Sequence, residues 1–311
     1  MQDTTAASKT MLHMVAKLHY EAEMSQVDIA KRLGVSTATI SRLLQRARAL
    51  GIVRIEVIDL ISPEEITAEL VDRLGLKTAA VVETPSAGAL ASLATPLGAM
   101  LKEAGLGAGS VFGIGWGRAI REVVRAGLPR IPDIITVPVT GGMQLSAPHF
   151  QINEFVRLAA EQMGGTPHFL HAPYLSSQEL REAFLNDASV KEILALWDRM
   201  DVAIVGIGLP HAINPPEASA ATPSEQALTR AVGDVIRHYI DENGAVLHWD
   251  GENSMIAASP EQLRATPLVI GVAATAEKAP AIIGAVRARM INALVTDTKT
   301  AQAILDSLPA A

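Results

Sequence analysis

The sequence contains no cysteine among its 311 residues, and aromatic residues make up only 4% of it. The absence of cysteine excludes a disulfide scaffold, a thiol nucleophile, a thiolate zinc site and a cysteine-ligated iron–sulfur cluster. Hydrophobic residues make up 49% and charged residues 19%, so the chain can bury a large core and is not disordered. Its length predicts about two domains.

The sequence also lacks an apparent signal peptide and membrane span. Residues 1–10 are polar and have no apolar stretch of the kind that a signal peptide needs. Two long segments without formal charge, Thr84–Leu101 and Ile134–Asn153, are interrupted by glycine, proline or amide side chains. A membrane span needs roughly 20 predominantly apolar residues. We therefore expect a soluble, cytoplasmic protein that has no membrane partner.

Positive charge is scarce overall but concentrated near the N-terminus. The formal net charge is −7, which argues against a uniformly basic protein that coats nucleic acid. Residues 1–60 nevertheless carry +2 and the remainder −9, and Ser25–Arg54 alone carries six basic residues and one acid. A small basic module joined to a large acidic body is typical of a nucleic-acid-binding head on a domain that does not bind nucleic acid.

The basic module has the pattern of a helix-turn-helix. Met11, Met14, Val15 and Leu18 predict the apolar face of a first helix within Ser8–Glu23. The next segment reads QVDIAKRLGVSTATISRLL, in which Ile29, Ala30 and Leu33 form one apolar face, and Ile40, Leu43 and Leu44 form another. Gly34 suits the tight turn, Val35 is expected to fill the space between the helices, and Ser36 or Thr37 is expected to cap the second helix.

The outward face of the second motif helix carries the candidate DNA contacts. Short polar residues lie at its N-terminal end, which enters the major groove in helix-turn-helix proteins, and basic residues follow. Arg42 and Gln45 suit guanine or adenine edges, Arg46 or Arg48 suits phosphate, and Gln26 begins the first motif helix beside the backbone. The candidates for contact with double-stranded DNA are Gln26, Ser36, Thr37, Ala38, Ser41, Arg42, Gln45 and Arg46.

A helical hairpin with a solvated basic face is the alternative interpretation of this module. The agreement of apolar spacing, turn glycine and charge favours DNA binding. Ile52–Ile58 alternates and is β-branched, so it predicts a strand that serves as a wing or as part of the linker. Ser62-Pro63 starts a new helix. We therefore expect a helix-turn-helix DNA-binding domain at 1–60 and an α/β effector-binding and oligomerisation domain at 61–311.

The acidic body alternates apolar runs with amphipathic segments, which predicts a mostly parallel sheet covered on both faces. The predicted strands are Ala79–Glu83, Ser110–Ile114, Ile134–Thr140, Pro167–His171, Asp201–Ile207, Ala245–His248, Pro267–Val272 and Asn292–Val295. The predicted helices are Leu90–Ala104, Arg118–Ala126, Asn153–Met163, Ser189–Arg199, Lys278–Arg289 and Thr298–Leu308. Asn214–Pro223 is rich in alanine, proline and serine and is expected to be a surface loop.

Glycines cluster where three of these strands end. The segments are SVFGIGWGRAI at 110–120, TGGM at 140–143 and VGIGL at 205–209. Ligands of open α/β sheets bind at the carboxyl ends of strands, where glycine lets backbone amides approach an anion. Three ordinary tight turns are the alternative. Gly113, Gly115 and Gly117 do not fit the dinucleotide spacing G-x-G-x-x-G, so a nicotinamide cofactor is not expected, nor is any other.

Nearly the whole chain resembles the SorC/DeoR group of bacterial sugar-responsive transcriptional regulators. The segments that carry the resemblance are SQVDIAKRLGVSTATISRLLQRARALGIVRIEV, FGIGWGRAI, PVTGG, DVAIVGIG, GDVIRHYIDENG and AEKAPAIIGAVRARMINALVTDTKTAQAIL, in that order. The resemblance implies a homotetrameric repressor or activator. It also implies a Rossmann-like effector domain similar to sugar-phosphate isomerases and deaminases, which binds a sugar, polyol or sugar phosphate that alters operator binding.

The resemblance also implies an effector site. It places a glycine-rich loop on Gly113–Ala119, a second loop on Gly141 and Gly142, a third on Gly206 and Gly208, an acidic contact at Asp234 and a basic one at Lys278. The candidate residues are Gly113, Gly115, Trp116, Gly117, Arg118, Gly141, Gly142, Asn153, Pro173, Tyr174, Gly206, Gly208, Asp234 and Lys278.

The sequence departs from the family in the first loop. The family pattern resembles G-x-S-x-G-x-T, whose hydroxyls suit phosphate, whereas this chain has Gly115 and Ala119 there. This departure favours an unphosphorylated sugar or polyol whose hydroxyl groups donate hydrogen bonds to Asp234. Backbone amides together with Lys278 would still suit a phosphate.

Several candidates also have a purely structural interpretation. Asp234 suits a helix cap after Gly233, Lys278 a solvated surface lysine, Trp116 a packing role, and Arg118 a salt bridge. His168 and His171 show an HxxH spacing without a nearby third ligand, so a metal site is not expected. Asp241–Gly244 predicts a hairpin turn.

The competing function is an isomerase, deaminase or other enzyme on the same scaffold, with a DNA-binding head attached. An enzyme needs a placed base or nucleophile. The sequence has neither a nucleophile-elbow motif nor a paired His/carboxylate motif. We therefore expect a regulator that is not an enzyme and has no catalytic residues.

Overall fold

The structure is a computed structural model that describes residues 3–53, 62–84, 90–143, 151–210 and 222–309. The chain divides into two compact units, Met1–Leu60 and Ile61–Ala311. The predicted strand at Ile52–Ile58 and the predicted loop at Asn214–Pro223 lie mostly outside the described residues. Among the described residues, no helix is long and apolar enough to cross a membrane.

The described residues of the N-terminal unit form three helices and one turn of π-helix. The helices are α1 (Asp3–Ala16), α2 (Gln26–Leu33) and α3 (Thr37–Ala49), and the π-helix at Lys17–Glu21 follows α1. Ile29, Ile40 and Leu44 are buried together with Val15 of α1, as the periodicity predicted for the two motif helices. Gly34 ends α2 with φ of +67°, a left-handed conformation that favours glycine.

Two expectations for this unit were wrong. Among residues 9–16 of α1 the buried ones are Leu12, Val15 and Ala16, so Val15 is buried as predicted and Leu18 after the helix is half-buried, whereas Met11 and Met14 are 41% and 38% exposed. The face of α1 that is buried is therefore rotated by about one residue from the predicted face. Val35 does not fill the space between α2 and α3, since it follows the Gly34 turn on the outer side and is 40% exposed.

The described residues of the C-terminal unit form one ten-stranded sheet. Its strands are β1 (Thr78–Val82), β2 (Val111–Ile114), β3 (Ile135–Pro138), β4 (Thr166–Pro167), β5 (Val202–Gly208), β6 (Gly233–Val235), β7 (His238–Ile240), β8 (Val246–Leu247), β9 (Leu268–Val272) and β10 (Ala293–Asp297). Seven of them are parallel in the order β1-β10-β9-β5-β2-β3-β4. The other three form an antiparallel extension in which β6 pairs with the end of β5.

Helices cover both faces of the parallel sheet, as predicted. They are α4 (Pro63–Leu74), α5 (Ala94–Glu103), α6 (Arg118–Ala126), α7 (Ile152–Met163), α8 (Gln178–Asn186), α9 (Ala188–Trp197), α10 (Pro223–Gln226), α11 (Pro260–Ala265), α12 (Ala279–Arg287) and α13 (Thr298–Ser307). Alternate residues of β5 serve two separate cores. Ala203 and Val205 pack with α4, α9, α12 and α13, and Val202 and Ile204 pack with α5, α6 and α7.

Three local predictions for this unit need correction. The predicted strand Pro167–His171 contributes only Thr166–Pro167, because Asn153 takes both backbone polar groups of Leu170 as hydrogen-bond partners. The helix α8 was not predicted, and none of its residues is buried. Asp234 does not cap a helix, since Gly233–Val235 is a strand. The turn predicted at Asp241–Gly244 does connect β7 to β8.

Candidate DNA-binding surface and effector site

The outward face of α3 carries the predicted DNA contacts. Seven of the eight candidates are exposed, and these are Ser36, Thr37, Ala38, Ser41, Arg42, Gln45 and Arg46. Gln26 is half-buried at the first position of α2. Lys31, Arg32 and Arg48 are exposed as well. The described part of this unit therefore presents a solvated basic surface.

Ser36, and not Thr37, caps α3. The Ser36 hydroxyl accepts a hydrogen bond from the Thr39 amide at 3.2 Å, which satisfies one of the free donors at the start of the helix. Arg42 Nε donates to the Ala38 carbonyl at 3.3 Å, so this guanidinium lies back along the exposed face of its own helix. The first turn of α3 is thus fixed, and its exposed groups include the Ala38 methyl and the Thr37 and Ser41 hydroxyls.

The predicted effector loops meet where the strand order reverses. From β2 the chain continues through β3 to β4 on one side, whereas β5 lies on the other side of β2 and leads to β9 and β10. In open α/β sheets the crevice outside the carboxyl ends of such strands is where ligands bind. The segments that follow β2 and end β5 carry Gly115–Arg118 and Gly206–Gly208.

Two of these glycines allow close backbone packing. Gly115 donates its amide to the Ile204 carbonyl at 2.8 Å, and a Cβ at Gly115 would lie 2.9 Å from the same oxygen. A Cβ at Gly206 would lie 3.1 Å from the Trp116 carbonyl oxygen. Both glycines therefore hold the loop after β2 against β5.

Gly117 is different, because it adjoins open space. It has φ of +137°, and nothing lies within 4 Å of a Cβ built there. α6 starts at the next residue, Arg118, and no described side chain caps it. The first amides of α6 thus adjoin an open region beside a backbone position that favours glycine, which suits the approach of a polar or anionic group.

The second glycine loop contacts the Pro173 segment. A Cβ at Gly141 would lie 2.6 Å from the Pro173 carbonyl carbon and oxygen, so the two backbones touch. Gly142 pairs with this segment by accepting from the Tyr174 amide at 2.8 Å and donating to the Ala172 carbonyl at 2.9 Å. The segment Gly141-Gly142 and the segment Pro173-Tyr174 are therefore held together by a parallel β-bridge.

Asp234 and Lys278 lie at the end of β5. Asp234 is opposite Gly208 in the β5–β6 pair, and a Cβ on Gly208 would overlap the Asp234 carboxylate. Lys278 follows β9, and its ammonium donates to the Ile207 carbonyl at 2.6 Å. The two groups therefore flank the same strand end.

The electrostatics of Lys278 connect it to Arg118. Burial and the nearby positive charge of Arg118 lower the pKa of Lys278 to about 8, although the Asp234 carboxylate acts in the opposite direction. Thr275, just before Lys278, has φ of +98°, which is strained for a β-branched residue. Two cations and one carboxylate of the candidate set thus act on one another around the end of β5.

A buried polar network, which the sequence did not reveal, lies beside Asp234. Glu225 Oε1 accepts hydrogen bonds from the hydroxyls of Tyr174 and Tyr239, each at 2.7 Å, and lies 3.1 Å from Arg237 Nη1. Burial disfavours the charged Glu225, but the Arg237 charge and these hydrogen bonds outweigh it and lower its pKa. Burial, followed by the nearby carboxylate charges, raises the pKa of both tyrosines.

Aromatic residues gather at the same place. The chain has only three tryptophans and three tyrosines, and Tyr174, Tyr239 and Trp249 are buried in one cluster against which Trp116 packs. Trp116 is half-buried, so it both packs and presents surface beside the glycine-rich loop.

Two predicted site residues are occupied elsewhere. Gly113 lies inside β2, where a Cβ would come within 2.7 Å of Val139 Cγ1, so core packing explains this glycine. The side-chain amide of Asn153 donates to the Leu170 carbonyl and accepts from the Leu170 amide. No group of three or more His, Asp or Glu side chains in the described ranges is placed to hold a metal ion.

Comparison with known families accounts for both units. The Sugar-bind family model, which represents a sugar-binding domain, matches residues 59–306, and the MarR_2 model of the MarR family matches residues 2–58. The sorbitol operon regulator of Klebsiella pneumoniae is 32% identical over 304 residues, which cover 94% of this chain and 96% of that protein. The chain belongs to the SorC family of sugar-binding transcriptional regulators.

Other SorC-type relatives are also named as regulators. The erythritol catabolism regulatory protein EryD of Brucella abortus is 28% identical, with 96% of this chain and 97% of that protein covered. The deoxyribonucleoside regulator of Bacillus subtilis is 26% identical, with 94% and 96% covered. The resemblance read from the sequence motifs is therefore confirmed.

Solved structures of SorC-type proteins share the fold. The crystal structure of the full-length sorbitol operon regulator SorC from Klebsiella pneumoniae has a TM-score of 0.72 at 31% identity and covers 95% of this chain and 98% of that one. A DeoR family transcriptional regulator from Listeria monocytogenes has a TM-score of 0.68 at 24% identity and covers 78% and 99%. The predicted fold class, an N-terminal helix-turn-helix plus a mostly parallel α/β domain, is confirmed.

Three residues beside the candidate effector site of this SorC family member, namely Glu225, Arg237 and Tyr239, were not predicted from the sequence. One local signal for Glu225 was present, since Thr222-Pro-Ser-Glu225 has the pattern of a capping box, and the structure contains that box. No comparable signal marks Arg237, because its ion-pair partner Glu225 and the Tyr174 ring lie on other segments of the chain.

Proposed function

We propose that this chain binds double-stranded operator DNA through α3 and that a sugar or polyol, bound at the carboxyl edge of the sheet, controls a carbohydrate or polyol catabolic operon. The observation that carries the proposal is the convergence of Asp234, Lys278 and Arg118 on the end of β5. Relatives named for sorbitol and erythritol support the same effector class.

In the DNA complex, Arg42 and Gln45 contact base edges, and Arg46 contacts phosphate. All three are exposed on α3. Gln26 lies at the N-terminus of α2, where side chains of helix-turn-helix proteins reach the backbone. The short residues Ser36, Thr37, Ala38 and Ser41 permit close approach of α3 to the groove.

In the effector complex, Asp234 accepts hydrogen bonds from hydroxyl groups, Gly117 and the first amides of α6 approach the ligand, and Trp116 forms part of the wall. The absence of hydroxyls at Gly115 and Ala119 favours an unphosphorylated ligand, and Ala119 is buried in the core. The positive charges of Arg118 and Lys278 are the feature that would favour a phosphate instead.

We further propose that the protein is a cytoplasmic homotetramer, that it is not an enzyme, and that it needs no cofactor or metal. The naming of its relatives as regulators supports the second statement. Analytical ultracentrifugation tests the tetramer. Incubation with sugar phosphates followed by product analysis tests the absence of turnover, and isomerisation or deamination would contradict it.

A paired experiment tests the proposed effector site. Mobility shift uses DNA upstream of the protein's own operon, and calorimetry uses sorbitol and sorbitol 6-phosphate as matched probes. Asp234→Ala is expected to leave DNA binding intact and to abolish the response to the probe. Asp306→Ala, a surface change on α13, serves as the control. Binding of sorbitol 6-phosphate alone would overturn the preference for an unphosphorylated effector, and equal loss of DNA and probe binding in Asp234→Ala would overturn its assigned role.

A further inference from the structure

The turn between β6 and β7 has an unusual composition. Ile236 and Arg237 form a two-residue hairpin turn, and their φ angles are +44° and +68°. Hairpin turns with positive φ at both positions favour Asn-Gly, because L side chains are strained there, and β-branched ones most of all. Such a turn persists only where the surrounding structure holds it in place.

The side chain of Arg237 ties the turn to the body of the unit. Arg237 is only 4% exposed. Its Nη1 lies 3.1 Å from Glu225 Oε1 and 3.3 Å from the Tyr239 hydroxyl, and its guanidinium lies 5.6 Å from the centre of the Tyr174 ring. Because Glu225 and Tyr174 belong to other segments, these contacts fix the position of the turn.

Glu225 is itself held on several sides. Besides the Arg237 contact, its carboxylate accepts from the Tyr174 and Tyr239 hydroxyls and, at 2.7 Å, from the Thr222 amide. A buried ion pair loses much of its Coulomb attraction to desolvation and is weak evidence for stability alone. The completeness of these contacts instead indicates a fixed geometry.

The turn sets the direction of Asp234. The Arg237 amide donates to Asp234 Oδ2 at 2.9 Å. On the other side the carboxylate lies against Gly208, where only a glycine leaves room for it. The orientation of Asp234 therefore depends on a backbone amide that belongs to the strained turn.

We infer that Glu225 and Arg237 are positioning residues for effector recognition: their ion pair holds the Ile236-Arg237 turn, and the turn aims the Asp234 carboxylate at the ligand. The inference rests on the proposed role of Asp234 in effector binding. It assigns to the guanidinium of Arg237 no direct contact with the ligand, and it makes Glu225, on α10, part of the specificity of the site.

Two variants test the inference. Glu225→Gln removes the charge but keeps the shape of the side chain. The triple variant Glu225→Gln/Ile236→Asn/Arg237→Gly introduces a sequence that favours the same turn without any ion pair. Hydrogen–deuterium exchange at the amide of residue 237 reports the turn without any ligand, calorimetry with sorbitol and sorbitol 6-phosphate reports recognition, and mobility shift on the upstream DNA reports the other unit.

The expected result is a loss and a rescue. Glu225→Gln exposes the amide of residue 237 to exchange and weakens probe binding by about tenfold or more, as expected when a charged hydrogen bond is lost, while DNA binding is retained. The triple variant restores both protection and affinity. If Glu225 had a purely structural role, Glu225→Gln would lower the unfolding temperature, and the Asn-Gly turn of the triple variant would not restore affinity.

Three outcomes would overturn the inference. In the first, the amide of residue 237 stays protected and affinity is unchanged in Glu225→Gln. In the second, the folded triple variant regains protection but not affinity, since the guanidinium itself would then contact the ligand. In the third, Glu225→Gln does not fold and the folded triple variant binds neither probe. If the wild type binds neither probe, the choice of effector fails, and the exchange measurement still decides whether Glu225 holds the turn.

Discussion

The two units of this regulator place their functional groups in opposite ways. In the N-terminal unit the candidate groups are exposed and contiguous, because α3 and its cap residue Ser36 present seven of the eight candidates to solvent. In the C-terminal unit they come from strand ends and loops far apart in sequence, and several are half-buried. DNA is an extended, highly charged target, so it needs an exposed charged surface. A small ligand needs a concave site with few, well-oriented polar groups. We therefore expect substitutions in α3 to act additively and those at the end of β5 to act through geometry.

The largest expected effect that separates the units is that of Arg42→Ala. Loss of a base-edge contact costs about 1–3 kcal/mol, so operator affinity is expected to fall roughly 5- to 150-fold. Probe binding in calorimetry remains unchanged. Lys102→Ala, an exposed lysine of α5, is the matched control and leaves both activities intact. Loss of probe binding in Arg42→Ala would show that the two units do not act separately.

Gly208→Ala tests geometry in the C-terminal unit without changing any charge. The added methyl group overlaps the Asp234 carboxylate, so the carboxylate must move, and affinity for the probe is expected to fall about tenfold, which corresponds to about 1.4 kcal/mol. Gly107→Ala is the control, because nothing lies within 4 Å of its Cβ. Unchanged affinity in Gly208→Ala, measured by calorimetry, would show that the direction of Asp234 does not matter.

The pH dependence of effector binding tests Lys278. Burial, together with the Arg118 charge, lowers the Lys278 pKa to about 8, so the ammonium predominates below that pH and is lost as the pH rises through it. Affinity for an anionic probe such as sorbitol 6-phosphate is expected to fall several-fold between pH 7 and 9. In Lys278→Arg the guanidinium stays charged over this range, and the fall should disappear. Calorimetry over this pH interval compares the wild type with Lys278→Arg, and identical pH profiles would show that Lys278 does not contact the probe.

The smallest effect, and the one most specific to the N-terminal unit, is on salt dependence. If Arg46 contacts one phosphate, Arg46→Ala reduces the slope of log K against log salt by about 0.9. Affinity should fall similarly for operator and unrelated DNA. Titrations at several salt concentrations check this prediction. An unchanged slope would show that Arg46 contacts a base or solvent and not a phosphate.

The same contrast explains how much could be predicted from the sequence. The motif helices and the turn glycine depend on contacts within a few residues, and local patterns predicted them, whereas the choice of Ser36 over Thr37 as the cap came only from the structure. The bounds of α6, Arg118–Ala126, were also predicted because its amphipathic pattern is local. Val35, Met11 and Met14 were placed wrongly, since a hydrophobic side chain does not reveal by itself which of two adjacent faces a neighbouring helix covers.

The C-terminal site could be predicted only in part. Glycine-rich strand ends indicated a candidate edge of the sheet, but they did not separate Gly113, which is packed in the core, from Gly117, which adjoins open space. The β6–β7 hairpin escaped prediction, because its strands have three residues each and its turn is Ile-Arg. Glu225 and Arg237 carry charges that composition assigns to the surface, and only the structure shows that they are buried against each other.

The sequence by itself determined the division into a basic head and an acidic body, the helix-turn-helix, the alternating α/β pattern and the family. Each of these depends on local periodicity, on charge or on contiguous motifs. Tertiary structure alone decided which candidates meet. Gly208 ends β5, Asp234 lies on the antiparallel strand β6, and Lys278 follows β9, so they meet only because β6 and β9 both pair with β5, a pairing that the sequence does not give. The network around Glu225 likewise forms only when residues from several segments are buried together.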